Sequence, residues 1–596
     1  MADWIEKSVD PAAVEALVAA GQPRLFARLL ALRGVTVDSA GEYFSPDWRS
    51  LSPAESLPGI ERAAAAIFDA IESKKRIVVF GDYDCDGFCA TSIVVRTIKA
   101  LGGESVPFIP RRMGEGYGMT SASVGRMLRE IPDIGLVVTV DNGIGSEKEI
   151  AGLKAKGIPV IVTDHHLPSD ELPTSAVVFV NPKVPETNTP DRLKDLCGAG
   201  VAYFLSNALV SRARRVRGDT SLAKGLSGIL FTLAGLATVT DIMPIRGENR
   251  IFVAEALKHF QRWAPVGLLE LYARSARTGT AALVTKDFGF LIGPRINACG
   301  RLGDGHEALE LLLATDREQA RRLALDVDGY NAARKSIESG MTERAKDLAV
   351  TDAAGQVIDL GASSESVHPG VAGIVAARVL EDLVKKRGDQ GVPVCVLVDG
   401  KGSCRAPEGY NVRKILESCS DLLSHYGGHA SAAGLGVRLD IYENQIDLFR
   451  ARFYEACAAQ EKQLTPEART SNQIDAWVEP DEITLALAEK VKSMEPFGEG
   501  NPEPVFALRG VPLTEVRPMR NSPKHLQVLL GGKSPLRGVW WNSGDRAEDL
   551  RSAASTTMDV MFNLEISTFG EPHVEIRILS IRPSVDAMSP SRRMEG

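Results

Sequence analysis

Three short, β-branched apolar runs in this chain each stop at acids or histidines. RIVVF (76–80) runs into GDYDCDG, GLVVTV (135–140) into Asp141, Asn142 and Gly143, and PVIVT (159–163) into Asp164, His165 and His166. Runs of this length, without polar alternation, mark strands buried on both faces of a parallel sheet. Helical patterns lie between them, so the region reads as a doubly wound α/β domain. In such folds the residues that follow the strands share one rim, and ligands bind there. Several hard oxygen donors with one or two imidazoles on one rim suit Mn²⁺ or Mg²⁺ in a hydrolytic site.

Asp82, Asp84 and Asp86 alternate. In an extended segment they project to one side, with Tyr83 and Cys85 on the other. Three neighbouring carboxylates repel, which raises the pKa of some unless a cation joins them. DxDxDG also opens an EF-hand loop. That reading fails because the required glutamate position is Ile93 and a strand precedes the motif. Asp141 alone would be a turn residue; two neighbouring strands with ligand-type ends favour a ligand. Adjacent residues of a strand-like backbone face opposite ways, so one of His165 and His166 is expected on metal and the other on substrate. Asp164 then orients an imidazole. Asp241 follows the apolar stretch GILFTLAGLATVT and has no basic neighbour. The eight cysteines form no CxxC pair, and Cys85 and Cys89 read as packed thiols.

At 596 residues the chain exceeds one core. The expected division is a helical segment at 1–70, an α/β domain at 71–310, a long connecting helix at 311–350, a smaller α/β domain at 351–460, a C-terminal β-barrel at 465–585 and a disordered tail at 586–596. Ser146 with Glu149, and Thr315 with Glu318, fit capping boxes. The net charge of −8 argues against a non-specific coat on duplex DNA. No segment reaches the roughly 18 apolar residues of a membrane helix, and MADWIEKSVD lacks a secretory pattern. A cytoplasmic protein is expected.

DYDCDG, VDNG, DHH and the later TVTDIMP together resemble the DHH phosphoesterase superfamily. GPRINACGRLGD (293–304), HPGVAGIVAARV (368–379), KGSCRAPEGYNV (401–412) and GGHASAAG (427–434) narrow the resemblance, over about residues 25–580, to single-strand-specific 5′→3′ exonucleases of the RecJ type. Cys85 departs from the family, which usually has a small residue there. The resemblance implies two divalent cations, Mn²⁺ or Mg²⁺. Asp84 and Asp86 resemble ligands of separate metals, Asp141 the bridging carboxylate, His165 and Asp241 ligands of the second metal, Asp82 a ligand or its support, and His166 the residue that meets the scissile phosphate. The smaller α/β domain resembles DHHA1, with Ser403, Arg405 and His429 on its substrate-facing motifs and Arg405 counted with the catalytic set. Arg295, Asn297, Arg301 and Arg378, with Arg111, Arg112 and Tyr117, are expected on the DNA backbone.

The last domain resembles an OB fold. Arg517, Arg520, Lys524, His525, Arg537, Trp540 and Trp541 combine charge with aromatics, as single-strand binding requires. Neighbours in a strand face opposite ways, so at least one of Trp540 and Trp541 is structural; Trp540 is counted with the strand-binding set, and which of the two faces the strand is left open. The implied partners are single-stranded DNA, a single-strand-binding protein and a helicase, with no membrane, and the protein is expected to be a monomer. Two other readings share these motifs: a DHH phosphatase or oligoribonuclease acting on short nucleotides, and a non-catalytic replication scaffold. Chain length disfavours the first and the intact ligand positions disfavour the second.

Overall fold

The computed structural model describes residues 4–116, 118–168, 171–218, 225–275, 282–387, 391–464, 473–531, 535–552, 557–567 and 571–584. Two compact units divide the chain: Trp48–Ser471, and Met1–Asp47 together with Asn472–Gly596. The larger unit holds a five-stranded parallel sheet. Its order across the sheet is Ser105–Phe108, Arg76–Phe80, Ile134–Val140, Val160–Thr163, Val178–Val180. The chain first winds one way and then reverses, so the switch point lies between Arg76–Phe80 and Ile134–Val140. Clefts for ligands open at such a point, beyond the strand C-termini.

Both faces are covered, which explains the unbroken apolar runs. Ile77, Val79, Val138 and Ile161 pack on one side with helices Ile60–Glu72, Cys85–Ala100 and Gly198–Arg217. Val78, Phe80, Val137 and Val162 pack on the other with Ser121–Glu130 and Glu147–Ala155. Helix Leu226–Thr240 is buried on nearly every side because it lies among three other helices. The long helix Arg317–Leu348 leads to a second, mixed sheet. There Gln356–Asp359 pairs parallel with Val394–Val398, and Lys401–Arg405, Ala432–Val437 and Leu423–Gly428 follow antiparallel.

Several local expectations change. The extended reading of Asp82–Asp86 gives way to a helix that starts at Cys85, because Asp84 caps it by accepting from Gly87 N–H at 3.0 Å. The capping box at Thr315 is replaced by Asp316, which accepts from Gln319 N–H. Ser146 makes no side-chain cap bond; its hydroxyl donates to the Met119 carbonyl.

The helical segment expected at 1–70 is split. Helix Ile60–Glu72 packs under the parallel sheet, whereas Phe26, Leu29, Leu30 and Tyr43 share a core with Phe506, Val528 and Phe562 of the last domain. In that domain Phe506–Met519 pairs with both Ser522–Leu530 and Thr557–Ser567. The pairings continue through Leu536–Trp540 and His573–Pro583 and close a ring of five strands. A closed ring with one parallel pair is the topology of a small Greek-key barrel. EKQLTPEARTSNQ (461–473) reads as a linker between the last two domains; most of it, 465–472, and the expected tail at 586–596 lie outside the described residues.

Helix Gly293–Leu302 locks the acidic loop in place. Asn297 Oδ1 accepts from Cys85 N–H at 2.7 Å, and a Cβ on Gly300 would lie 1.8 Å from the Tyr83 carbonyl oxygen. Gly300→Ala should therefore push the loop off this helix, at a cost of about 1–3 kcal/mol, and lower both the melting temperature and the activity. An unchanged melting curve would show that the contact is not tight.

Candidate metal centre and active site

Two loops and two helix ends bring the acids together. Asp82 and Asp84 leave strand Arg76–Phe80, and Asp86 sits in the first turn of Cys85–Ala100. The Asp86 carboxylate accepts from Gly198 N–H and Ala199 N–H, each at 2.7 Å, at the start of helix Gly198–Arg217. A helix N-terminus holds an anion in this way. Asp141 adopts a left-handed conformation, φ +62°, which an aspartate tolerates better than most residues. The turn is set by Thr139, whose hydroxyl donates to the Asn142 carbonyl, and by Asn142, whose amide donates to the Val140 carbonyl. A Cβ on Gly198 would come within 2.5 Å of Asp141 Cβ, so only glycine lets helix and turn meet.

Asp164 organises the histidines. Its carboxylate accepts from Ile144 N–H, His165 N–H and His166 N–H, and His166 Nδ1 lies 2.8 Å away. These bonds fold the segment back. The two imidazoles therefore do not point opposite ways as a strand would dictate; their centroids are 4.5 Å apart. His165 Nε2 lies 3.1 Å from Asp141 Oδ1 and 3.6 Å from both Asp86 and Asp241. Asp241 is the C-cap of helix Leu226–Thr240.

Three groups of donors lie close enough to hold an ion: Asp82, Asp84 and Asp141; Asp86, His165 and Asp241; and Asp141, His165 and His166. The donor set fits a pair of hard divalent cations. Asp82 Oδ1 and both His165 nitrogens are buried without a hydrogen bond among the described residues, a state that costs free energy unless something else meets them. Burial and then Asp84 raise the Asp82 carboxyl well above its usual range, and the same pair of causes takes Asp86 to about 6. Burial followed by the neighbouring acids also raises Asp141 and Asp241. Burial and the charge of His166 hold His165 neutral. Burial opposes charge on both members of the Asp164–His166 pair. Their hydrogen bond outweighs it and sets Asp164 at about 2 and His166 at about 9.

A cluster of cations faces these acids. Arg301 is pushed down to about 10 by burial and by Arg112 and Arg405. Arg405 is lowered by burial, with Arg112 adding to it, and donates to the Cys404 carbonyl. Arg112 lies over the Tyr83 ring at 5.1 Å. Ser403 is on the same strand as Arg405, two residues before it. His429 is exposed and is held below its usual value by desolvation and by His166 and Lys183.

Other expected contacts are engaged elsewhere. Arg295 pairs with Asp328, Arg378 with Glu338 and Glu381, and Arg111 lies 4.0 Å from Asp304. Asn297 Oδ1 accepts from Cys85 N–H at the helix start. Tyr117 lies outside the described residues. Asn181 and Lys183 were missed. Asn181 donates to the His166 carbonyl, and Lys183 lowers the pKa of His165 and Asp241. They follow strand Val178–Val180, so the strand-end rule applied to the fifth strand finds them.

In the barrel the two tryptophans part. Trp540 is buried in the core, with Arg546 over its ring, while Trp541 is exposed and meets His525 edge-on at 4.6 Å. Strand alternation decides it: Trp540 pairs with Leu526 and Ile578, both core positions. Arg520 and Lys524 are exposed. Arg517 is near Glu515, and Arg537 is near Glu575.

These shifts fix a pH dependence. A carboxyl with a raised folded pKa contributes most below its unfolded value, near 3.8, and loses that contribution as pH rises through the folded value. His166 behaves alike between 6.5 and about 9. Metal-free protein should therefore melt progressively lower from about pH 5 to pH 9, and Mn²⁺ should raise the melting temperature most at the alkaline end. A flat metal-free profile by calorimetry would contradict this electrostatic account.

Comparison with known proteins gives the same organisation. The family models for the DHH family N-terminal domain, the DHHA1 domain and the RecJ OB domain match residues 76–231, 353–459 and 474–579. The single-stranded-DNA-specific exonuclease RecJ of Dickeya dadantii is 34% identical over 548 residues, covering 87% of this chain and 89% of that protein. The Thermus thermophilus protein of the same name is 37% identical over 493 residues, 82% of this chain and 67% of its own length. The crystal structure of Thermus thermophilus RecJ with Mn²⁺ superposes with a TM-score of 0.80 at 30% identity, covering 97% of this chain and 79% of that one. The Mg²⁺ complex of that enzyme gives 0.74 at the same identity, over 97% of this chain and 78% of that one. With all three domains matched and about a third of its residues shared over most of its length, this chain belongs to the RecJ family of the DHH superfamily.

Proposed function

We propose that the protein is a divalent-metal-dependent exonuclease that hydrolyses phosphodiester bonds from the 5′ end of single-stranded DNA, in DNA repair and recombination. The observation that carries this is the convergence, at the switch point of the sheet, of two donor groups linked through Asp141 and faced by Arg301, Arg405 and Arg112. In this reading Asp82, Asp84 and Asp141 would hold one cation and Asp86, His165 and Asp241 the other. Bound there, the cations would supply positive charge to the phosphate and a more acidic water as nucleophile.

The chain's own residues do the rest. Asp164 holds His166 protonated through Nδ1 and leaves Nε2 as the nitrogen that meets the scissile phosphate. Arg405 and Ser403, with Arg301, bind and orient the phosphate; a guanidinium suits this because its fork matches two phosphate oxygens. Burial of the arginines strengthens that grip, since few waters screen it. His429 lies within reach of the same field. Arg295, Asn297 and Arg378 act on substrate only indirectly, through the loops and ion pairs they maintain. Arg520, Lys524, Arg517, Arg537 and Trp541 take the strand on the barrel. No helix among the described residues is long and apolar enough to cross a membrane. We place the protein in the cytoplasm as a monomer, acting on strands supplied by a helicase and held by a single-strand-binding protein.

Asp141→Ala should reduce cleavage of a 5′-labelled single strand with Mn²⁺ by about a thousandfold or more, because several kcal/mol of metal-derived stabilisation depends on it. Its melting temperature without metal should not fall, since a raised carboxyl is removed. Near-normal turnover by the folded variant would sink the two-cation assignment.

Because residues 4–47 share their core with the barrel, deletion from residue 473 onward alone should leave an apolar surface and an aggregating protein. A fragment of residues 48–471 should stay folded and cleave short oligonucleotides. It should bind long strands about tenfold or more weakly, given roughly 1–3 kcal/mol per stacked base. Unchanged affinity for long strands, measured by fluorescence anisotropy, would remove the barrel from binding.

A further inference from the structure

Helix Leu226–Thr240 ends in an unusual way beside the metal centre. Asp241 is its C-cap, Ile242 N–H donates to the Val239 carbonyl at 3.3 Å, and Met243 N–H donates to the Thr238 carbonyl at 3.0 Å. This bond pair is a Schellman ending, whose left-handed position is normally glycine. Here that position is Ile242, with φ +56°. A β-branched residue in that region is a true outlier. Packing does not account for it, because the Ile242 side chain is 70% exposed. Met243, the next residue, is buried and anchors the turn. The fold thus keeps a strained backbone in order to hold an aliphatic side chain in solvent, one residue from Asp241. Strain retained without a packing return points to function.

A second exposed aliphatic residue lies two positions from His165. Leu167 directly follows His166 and is 61% exposed. The approach of His165 Nε2 to Asp241 Oδ2, 3.6 Å, sets its loop beside that of Ile242. Around them the site consists of acids, imidazoles and arginines, which address phosphate. The apolar part of a nucleotide is the face of its base. In a duplex both faces of an internal base are covered by neighbours; in a single strand a face is available.

We propose that Ile242, supported by Leu167, is a specificity-determining ledge that takes the open face of the unpaired base next to the scissile phosphate. The inference rests on the exonuclease reading above and adds to it the contact that seats the base beside the scissile bond. Ile242 touches substrate without reacting, so its effect falls on binding more than on the chemical step.

The test uses the full chain with Mn²⁺ and 5′-phosphorylated single strands that either carry all bases or have an abasic residue at each of the two terminal positions in turn. Ile242→Gly and Ile242→Asn both suit the left-handed position, so their melting temperatures should equal or exceed that of the parent. On normal strands each should raise KM by about tenfold, the scale of one base contact, with a much smaller fall in kcat. The parent enzyme should show a similar rise in KM on one of the abasic strands, and on that strand the Ile242 variants should add little further loss. Leu167→Asn should act in the same direction. Indifference of the parent to both abasic positions overturns the ledge, as does equal loss by the Ile242 variants on normal and abasic strands. Failure of the parent to cut any single strand overturns the exonuclease reading itself, which separates the two failures.

Discussion

The crowding of buried carboxylates at the switch point is the constraint on which the larger unit depends. Asp82, Asp86, Asp141 and Asp241 are all pushed toward the neutral form by burial and then by neighbouring carboxylates, Asp84 among them. Such a cluster persists only because its surroundings are built for it. Two backbone N–H groups of helix Gly198–Arg217 hold Asp86. Asp141 sits in a left-handed turn that Thr139 and Asn142 secure, and Gly198 and Gly300 remove the Cβ atoms that would force the pieces apart. A site that is destabilising when its charges are unmatched is prepared for cations. The free energy lost to desolvation is recovered when they bind.

The histidines show how one carboxylate assigns two roles. Asp164 is held well below its usual range, and its bonds to both following N–H groups fold the chain so that both imidazoles face the acids. One imidazole stays neutral, the form that ligates a cation, and the other is kept charged, the form that attracts an anion. The arginines Arg301 and Arg405 belong to helix Gly293–Leu302 and strand Lys401–Arg405, far apart in sequence but within each other's field. The long helix Arg317–Leu348 lies between them in the chain. The cationic cluster is thus a property of the unit as a whole.

The smaller unit makes a different point. The helices of residues 11–44 supply Phe26, Leu29, Leu30 and Tyr43 to a core otherwise built from the barrel. Barrels of this size bury little apolar surface of their own, so an added helical layer increases burial. The arrangement also includes an ionic clamp: Asp475, 1% exposed, takes both Lys7 and Arg33. Removing Asp475 would leave the buried Arg33 guanidinium without its counter-charge.

Much of this was legible in the sequence because strands buried on both faces have a distinctive composition and a parallel sheet places their ends on one rim. That logic located Asp82, Asp84, Asp86, Asp141, His165 and His166. It also reaches Asn181 and Lys183 once the fifth strand is read in the same way. Asp241 was legible through the family motif alone, since it lies at a helix end rather than a strand end. What only tertiary structure decided is direction and neighbourhood. The helix begins at Cys85 because Asp84 caps it, so strand alternation does not set where the three acids point. His165 and His166 face the same way because Asp164 folds the segment. Arg295 and Arg378 have acidic neighbours from other turns of the chain, and Trp540 goes inward because its partners across the barrel are core residues. Sequence carries local periodicity and residue chemistry. Which side chain meets which is settled by contacts between segments tens to hundreds of residues apart.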